Sequence, residues 1–256
     1  MRLISLNTWG GKVYSKLAEF LESKKKEVDI FCFQEVLGAN SKGGKEAESI
    51  KQSYQGTEFE EVQDLYGRLE NVLTGFQGFL SEPYSEGSEK LAMFVRNGIE
   101  ADVRDTLVHN QIRVVYEGKP FEVGSIMQYA KISNAEGTYF IANVHGLWQG
   151  GGKGDTPERI EQSRNILRIM SNFGERKILC GDFNLDISTE SVHILEQEMI
   201  NLVREFKINS TRSTLAPSSK GRFADYIFAS DKIKINKFNV LNDVVSDHLP
   251  LYVDFE

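Results

Sequence analysis

Apolar runs of strand length recur along this chain, and several of them stop on a polar residue. Residues 2–9 read as a strand carrying one amide, Asn7, just before Gly10-Gly11. Asn disfavours strand interiors, so its place near the end of the run stands out. Residues 28–36 are apolar on both faces through Phe33, which predicts a strand covered on both sides, and they finish on Gln34-Glu35. Lys177 to Asp186 opens as an apolar run, stops at Gly181 and presents Asp182 and Asn184 two residues apart. If the backbone stays extended there, both project from one face; Gly, Asp and Asn are equally the residues of an ordinary turn. Tyr139 to Val144 ends at His145, Asp225 opens the run 225–229, and Asp247-His248 stands just before the last run, 250–255.

Between these runs the period changes. Val13, Leu17, Phe20 and Leu21 fall at helical spacing and lead to Lys24-Lys25-Lys26, a solvated helix end favoured by the macrodipole. Phe59, Val62, Leu65, Tyr66, Leu69, Val72 and Leu73 mark one amphipathic helix over 58–73. Residues 38–57 read as a long polar loop, a length that is often functional. From 76 to 144 strands dominate, around Phe79 and over 91–95, 103–108, 112–116, 123–132 and 139–144. Residues 146–155 read as a flexible glycine-rich loop that lacks the phosphate-loop pattern, since Lys153 is followed by Gly154. Thr156 with Pro157 then caps and opens a helix to about Ser171. A helix over 189–199 and strands over 205–210, 225–229, 233–240 and 250–255 complete the chain, which reads as a single domain over 1–256.

Composition narrows the partners. The formal net charge of −7 argues against gripping long nucleic acid through a broad basic surface, because that mode needs many Lys and Arg to release counterions. Cys32 and Cys180 each lie inside an apolar run, so they read as reduced core residues. No apolar stretch approaches transmembrane length and no signal peptide opens the sequence, so cytoplasmic residence without membrane association is expected.

In a layered α/β protein, polar groups at strand borders converge on a crevice along one rim of the sheets. Asn7, Glu35, His145, Asp182, Asn184, Asp225, Asp247 and His248 are the groups that would meet there. Carboxylates about 4 Å apart repel by roughly 4 kcal/mol at an effective dielectric of 20, so a cation is needed. Hard oxygen ligands without thiolate favour Mg²⁺ or Mn²⁺. The histidines then suit proton transfer, with Asp225 or Asp247 holding the tautomer of His248. Such a set fits phosphate-ester hydrolysis, in which amide donors and metal stabilise charge while a base delivers water.

Asn7 in Leu6-Asn7-Thr8-Trp9, Gln34-Glu35, His145 in Asn143-Val144-His145-Gly146, Gly181-Asp182-Phe183-Asn184, Asp225-Tyr226 and Ser246-Asp247-His248-Leu249-Pro250 resemble, in order and rough spacing, the endonuclease/exonuclease/phosphatase superfamily. That group includes deoxyribonucleases, abasic-site endonucleases, inositol-polyphosphate 5-phosphatases, bacterial sphingomyelinases and tyrosyl-DNA phosphodiesterases. The resemblance implies a four-layer α/β/β/α sandwich with two packed mixed sheets. It also implies roles: Glu35, Asn7 and Asp247 on the divalent metal, Asp182 on the attacking water, Asn184 on the transition state. His248 oriented by Asp225 would be base or charge stabiliser, and His145 a phosphate contact. Leu179-Cys180-Gly181-Asp182 and Phe223-Ala224-Asp225-Tyr226 depart from the inositol phosphatase pattern, and the leader and apolar hairpin of a secreted sphingomyelinase are not evident. Expected, therefore, is Mg²⁺- or Mn²⁺-dependent cleavage of a phosphodiester, in a short or terminal nucleic-acid substrate, against the alternatives of a small-molecule or phospholipid phosphoesterase and of a catalytically silent binding module. Trp148 is a candidate stacking residue, Arg212 and Arg222 are candidate phosphate grips, Trp9 reads as core, and Asp186 reads as lying outside the site.

Overall fold

A computed structural model describes residues 1–38, 53–54, 57–59, 62–84, 89–134, 137–150 and 152–256. In chain order it contains β1 (Arg2–Asn7), α1 (Tyr14–Lys24), β2 (Ile30–Val36), β3 (Ser53–Tyr54), β4 (Thr57–Glu58), α2 (Leu65–Val72), β5 (Phe76–Leu80), β6 (Lys90–Arg96), β7 (Glu100–Tyr116), β8 (Lys119–Asn134) and β9 (Gly137–His145). There follow α3 (Pro157–Met170), β10 (Lys177–Asp182), α4 (Glu190–Glu196), β11 (Ile200–Asn201), α5 (Leu202–Glu205), β12 (Asp225–Ala229), β13 (Ile235–Val240) and β14 (Leu251–Phe255). The strands form two six-stranded mixed sheets, ordered β13-β14-β1-β2-β6-β5 and β11-β12-β10-β9-β8-β7.

Alternation along the strands decides how the sheets stack. In β1 and β2, Leu3, Ile30 and Cys32 turn to one face and join Ile141, Ile178 and Cys180 of the other sheet in a shared core. Ile4, Leu6, Phe31 and Phe33 take the opposite face and meet Leu17, Phe20 and Leu21 of α1 and Leu65 and Leu69 of α2. The outer face of the second sheet is covered by Ile166 and Met170 of α3, Val192 and Leu195 of α4, and Leu202 of α5. The result is the expected α/β/β/α sandwich. Strands covered on both faces need apolar residues at every position, which is why 28–36 reads as one continuous run. Both cysteines are free and buried. No described helix is long and apolar enough to cross a membrane.

Three local expectations give way. The helix expected over 58–73 begins only at Leu65, where Asp64 caps it by accepting from the Gly67 amide at 3.0 Å, while Thr57–Glu58 pairs with Ser53–Tyr54. Most of the long loop expected over 38–57 lies outside the described residues. The runs 103–108 and 112–116 are one strand, β7, kept continuous by register shifts on both sides of His109 against β8; the polar break at 109–111 is a bulge and not a turn. No strand forms over 205–210, because Asn201 accepts from the amides of Val203 and Arg204 and starts the short helix α5.

The registers bring the polar strand ends together. Asn7 lies opposite Gln34 in the parallel β1/β2 ladder, Asp182 opposite His145 in β10/β9, and Asp182 opposite Asp225 in β10/β12. Two glycines permit the close packing beneath them. At Gly181, φ is +140° and a Cβ would sit 1.9 Å from the Val144 carbonyl oxygen. At Gly146 a Cβ would lie 2.3 Å from the Phe183 carbonyl oxygen.

Candidate active site

Asp182 is the hub. Its Oδ2 accepts from Asn7 Nδ2 at 3.0 Å and stands 3.7 Å from His145 Nε2 and 3.6 Å from His248 Nε2, while Oδ1 accepts from the Asn184 amide at 2.8 Å. That last bond makes residues 182–184 an Asx turn, so Gly181-Asp182-Phe183-Asn184 is a turn that also faces the cleft. The chain is not extended here: Asn184 adopts φ 56°, and its side chain reaches the cleft from the turn. Burial alone would raise the Asp182 pKa, but His248, Lys153, His145 and Arg212 outweigh it and hold the carboxyl well below the usual carboxylate range.

Glu35 joins the hub by breaking the alternation of its strand. By parity its side chain would follow Phe31 and Phe33 toward the helices. Instead φ is +56° at a register shift between Phe33 and Val36, and Glu35 Oε1 accepts from Asn7 Nδ2 at 2.8 Å. A left-handed non-glycine residue costs about 1 kcal/mol or more, a strain kept where position matters. Asn7 therefore bridges two carboxylates with its amide hydrogens, and its Oδ1 accepts from the Trp9 amide at 2.9 Å.

The two histidines are held from behind. Tyr84 hydrogen-bonds His145 Nδ1, and Nε2 faces Glu35 and Asp182 at 3.9 and 3.7 Å. Burial, then Glu89, Glu35 and Asp182, raise the Tyr84 pKa well above that of an ordinary tyrosine, so it remains a hydroxyl. As a hydroxyl it can donate to Nδ1, an arrangement that would leave the ring proton on Nε2, facing the carboxylates. Asp225 Oδ1 and Oδ2 both lie 2.8 Å from His248 Nδ1. His248 Nε2 receives Arg212 Nη1, which also donates to Asp247 Oδ2 at 3.2 Å. This contact specifies the unprotonated Nε2. Burial lowers the affinity of His248 for a proton, but Asp225, Asp247 and Asp182 reverse that and its pKa lies above the ordinary value. Geometry thus presents the base form, and the surrounding charge favours what it becomes on taking a proton.

All eight residues singled out from the sequence reach one cleft or its immediate wall. Asp247 stands on the His248 side, 3.7 Å from His248 Nε2 and 3.6 Å from Lys220 Nζ, apart from Glu35 and its amide bridge. Among the described residues, two sets of side chains bring ligand atoms within 4.8 Å of one another, Glu35 with His145 and Asp182, and Asp182 with Asp225 and His248. Carboxylate oxygens as close as those on either side of the Asn7 amide fit a hard divalent cation by donor type.

The cleft, about 790 Å³, is also lined by Trp9, Lys12, Glu89, Tyr116, Trp148, Lys153, Asp186, Arg212 and Lys220. Trp9 is not core: a left-handed turn, φ 52°, swings it to the rim, with Lys12 Nζ 4.5 Å above its ring. Asp186 reaches the rim but spends Oδ1 on the Ser188 amide and hydroxyl, at 3.1 and 2.7 Å. Arg222 turns to the Phe223 ring instead. Tyr84, Glu89 and Lys153 escaped sequence reasoning because each stands in a connecting segment whose pattern shows only a turn. Glu89 is pushed up to about 8, first by burial and then by Glu35 and Asp182, against Lys12. Lys153 donates to Asn184 Oδ1.

The profile of the Endonuclease/Exonuclease/phosphatase family matches residues 4–248. The chain belongs to that family. A search of curated proteins finds no match. Among solved structures, an endonuclease/exonuclease/phosphatase family protein from Bacteroides thetaiotaomicron is similar at 17% identity and TM-score 0.71, covering 100% of this chain and 97% of that one. A mannosyl-6-phosphatase of the same organism aligns at 15% identity and TM-score 0.69 over 100% and 99% of the two chains. D. rerio TDP2 complexed with a single-strand DNA product aligns at 16% identity and TM-score 0.65, over 100% and 98%. At these identities the structural likeness is one of fold, and membership in this phosphoesterase family rests on the match that spans nearly the whole chain.

Proposed function

We propose that the chain is a single catalytic domain that hydrolyses a phosphodiester, in DNA, RNA or at a nucleic-acid end, with Mg²⁺ or Mn²⁺ as cofactor. The observation that carries this reading is Asp182 set between two imidazoles, with Asn184 on the same turn. Glu35 and Asp182, with Asp247 across the cleft, would hold the cation, which when bound neutralises charge on the phosphoryl oxygens; Asn7, expected as a ligand, has its Oδ1 on the Trp9 amide and would instead hold the two carboxylates in place through Nδ2. Asp182, kept ionised by its neighbours, orients the attacking water by accepting its hydrogen bond, and His248, whose pKa lies above the ordinary value, is the better acceptor of its proton. Asn184 spends one amide hydrogen on the Gly146 carbonyl at 3.0 Å and turns the other to a phosphoryl oxygen. His248, its Nδ1 fixed by Asp225, stabilises charge or carries a proton at Nε2. His145 presents Nε2–H to the phosphate.

A short or terminal substrate reconciles the net charge of −7 with four cations, Lys12, Lys153, Arg212 and Lys220, gathered in one cleft. Trp9, Tyr116 and Trp148 offer rings to a base or other planar group beside the scissile phosphate. The TDP2 likeness, with its DNA product, supports a nucleic-acid end; the mannosyl-6-phosphatase likeness and the confined cleft support a small phosphate ester as the second reading. The test is a panel of plasmid DNA, abasic duplex, RNA, tyrosyl-linked ends, sugar phosphates, phosphoinositides and sphingomyelin with each metal. Turnover confined to nucleic-acid ends is expected. Turnover of sugar phosphates alone moves the chain to the second reading, and no turnover at all leaves a binding module.

A further inference from the structure

The loop 146–155 is rich in glycine, yet its backbone is tied down at several points. Arg159 of α3 is only 2% exposed, and the three hydrogen bonds of its guanidinium among the described residues go to carbonyls of this loop. Nη1 donates to Gly152 O at 2.9 Å and to Gly154 O at 2.6 Å, and Nε donates to Leu147 O at 3.3 Å. Gln162 accepts from the Leu147 amide at 2.8 Å, and the Lys153 carbonyl accepts from the Asp186 amide at 2.8 Å. Burying a guanidinium is costly, and here Nη1 is spent on the two carbonyls flanking Lys153 and Nε on Leu147, while Nη2 is buried without a partner among the described residues. The residue so presented is a lysine whose Nζ meets Asn184 Oδ1 within the cleft. An ammonium has three donors. One goes to Asn184, on the turn whose amide binds Asp182, so the ammonium stands on the cleft wall beside that turn.

We propose that Lys153 is a further phosphate-binding residue of this site, holding an oxygen of the substrate phosphoryl group beside Asn184, and that Arg159 is the residue that positions it. The inference rests on the phosphoesterase reading for its substrate but not for its test. Lys220 provides the control. It lines the same cleft with its side chain 47% exposed, so a general field effect would make the two lysines alike.

The experiment is calorimetric titration of the Mg²⁺-loaded protein with inorganic phosphate. Lys153→Met is expected to weaken phosphate at least about 10-fold, the size of a lost charge-assisted hydrogen bond, and Lys220→Met by no more than about 3-fold. Lys153→Cys, alkylated with bromoethylamine, regains an ammonium at the same reach and should recover most of the loss. Cys32 and Cys180, both 0% exposed, will not compete for the reagent. Arg159→Lys should weaken phosphate as Lys153→Met does, and combining the two should add nothing further, a non-additivity that a merely structural arginine would not produce. No phosphate binding by the unaltered protein, equal losses at Lys153 and Lys220, or no recovery on alkylation would each overturn the proposal. Phosphate binding through Lys153 without hydrolysis of any ester would instead overturn the enzymatic reading and leave this one standing.

Discussion

The cleft has two sides built in different ways. On one side Asn7, His145, Asp182 and Asp225 stand at strand ends, and their relative positions follow from the ladders β1/β2, β9/β10 and β10/β12. On the other side Lys153, Arg212, Lys220 and Trp148 stand in connecting segments, held by side-chain bonds to loop carbonyls and by a lone bridge between Arg212 and His248. A ladder places its residues through many cooperative backbone bonds, whereas a loop residue depends on a few specific contacts. On the proposed reading, the groups on the cation and the attacking water draw mainly on the first kind of construction, and the choice of substrate on the second.

If that division holds, the largest effects come from the strand side. Removing the cation with EDTA should abolish hydrolysis, and Mg²⁺ or Mn²⁺ should restore it. Asp182→Ala and His248→Ala, the latter in a connecting segment but held at Nδ1 by Asp225 of the strand side, should each lower kcat at least about 10³-fold, as loss of a catalytic group does, with far-ultraviolet dichroism unchanged. Full activity in either variant would break the comparison. Asp182 also sets an acid limit. Its folded pKa lies below its ordinary value, so the stability it contributes is complete above about pH 4 and drains as the pH falls further. In EDTA, urea midpoints measured from pH 6 to pH 2 should fall more steeply for the parent than for Asp182→Asn.

The same division explains what could be read in advance. Asn7, His145, Asp182 and Asp225 are visible because an apolar run bounded by a polar side chain is a local pattern, and the sandwich itself follows from runs covered on one face or on two. Glu35 was visible in sequence but its direction was not, since parity aims it at the helices and only a left-handed residue at a bulge turns it inward. Trp9 was misplaced for a related reason: the turn after β1 carries it to the rim. Tyr84 and Lys153 left no mark, because what makes them part of the site is contact with residues 61 and 31 positions away. No local pattern announces the bonds by which Arg159 holds carbonyls of the glycine-rich loop.

Beneath the strand side, Gly181 supplies the next effect in size. A methyl group there would meet the Val144 carbonyl at 1.9 Å, in a backbone conformation, φ +140°, that side chains rarely adopt. Gly181→Ala should therefore cost about 3 kcal/mol or more of stability, roughly a 100-fold shift in the folding equilibrium. Equilibrium urea unfolding measures it. A loss below about 1 kcal/mol would mean that β9 and β10 can separate cheaply, and that the ladder does not hold Asp182 against His145 as tightly as its register implies.

The loop side should yield the smallest change, and one of a different kind. Trp148 is 39% exposed on the cleft wall, edge-on to Tyr116 with ring centroids 5.1 Å apart and tilted against Phe121 at 5.4 Å. Those neighbours hold the ring in place, so its free surface is ready for a planar group without further ordering. A stacked base contributes on the order of 1–3 kcal/mol, and a partly exposed ring on one side of the substrate falls at the low end. Trp148→Ala should therefore raise KM about 5-fold on a nucleotide-containing substrate and leave kcat within about 2-fold, because the contact is made equally in the ground and transition states. On an ester whose leaving group has no ring, KM should not move. A fall in kcat on both substrates would show that Trp148 acts by bracing Lys153's loop, and would place that loop with the machinery of the reaction and not with the choice of substrate.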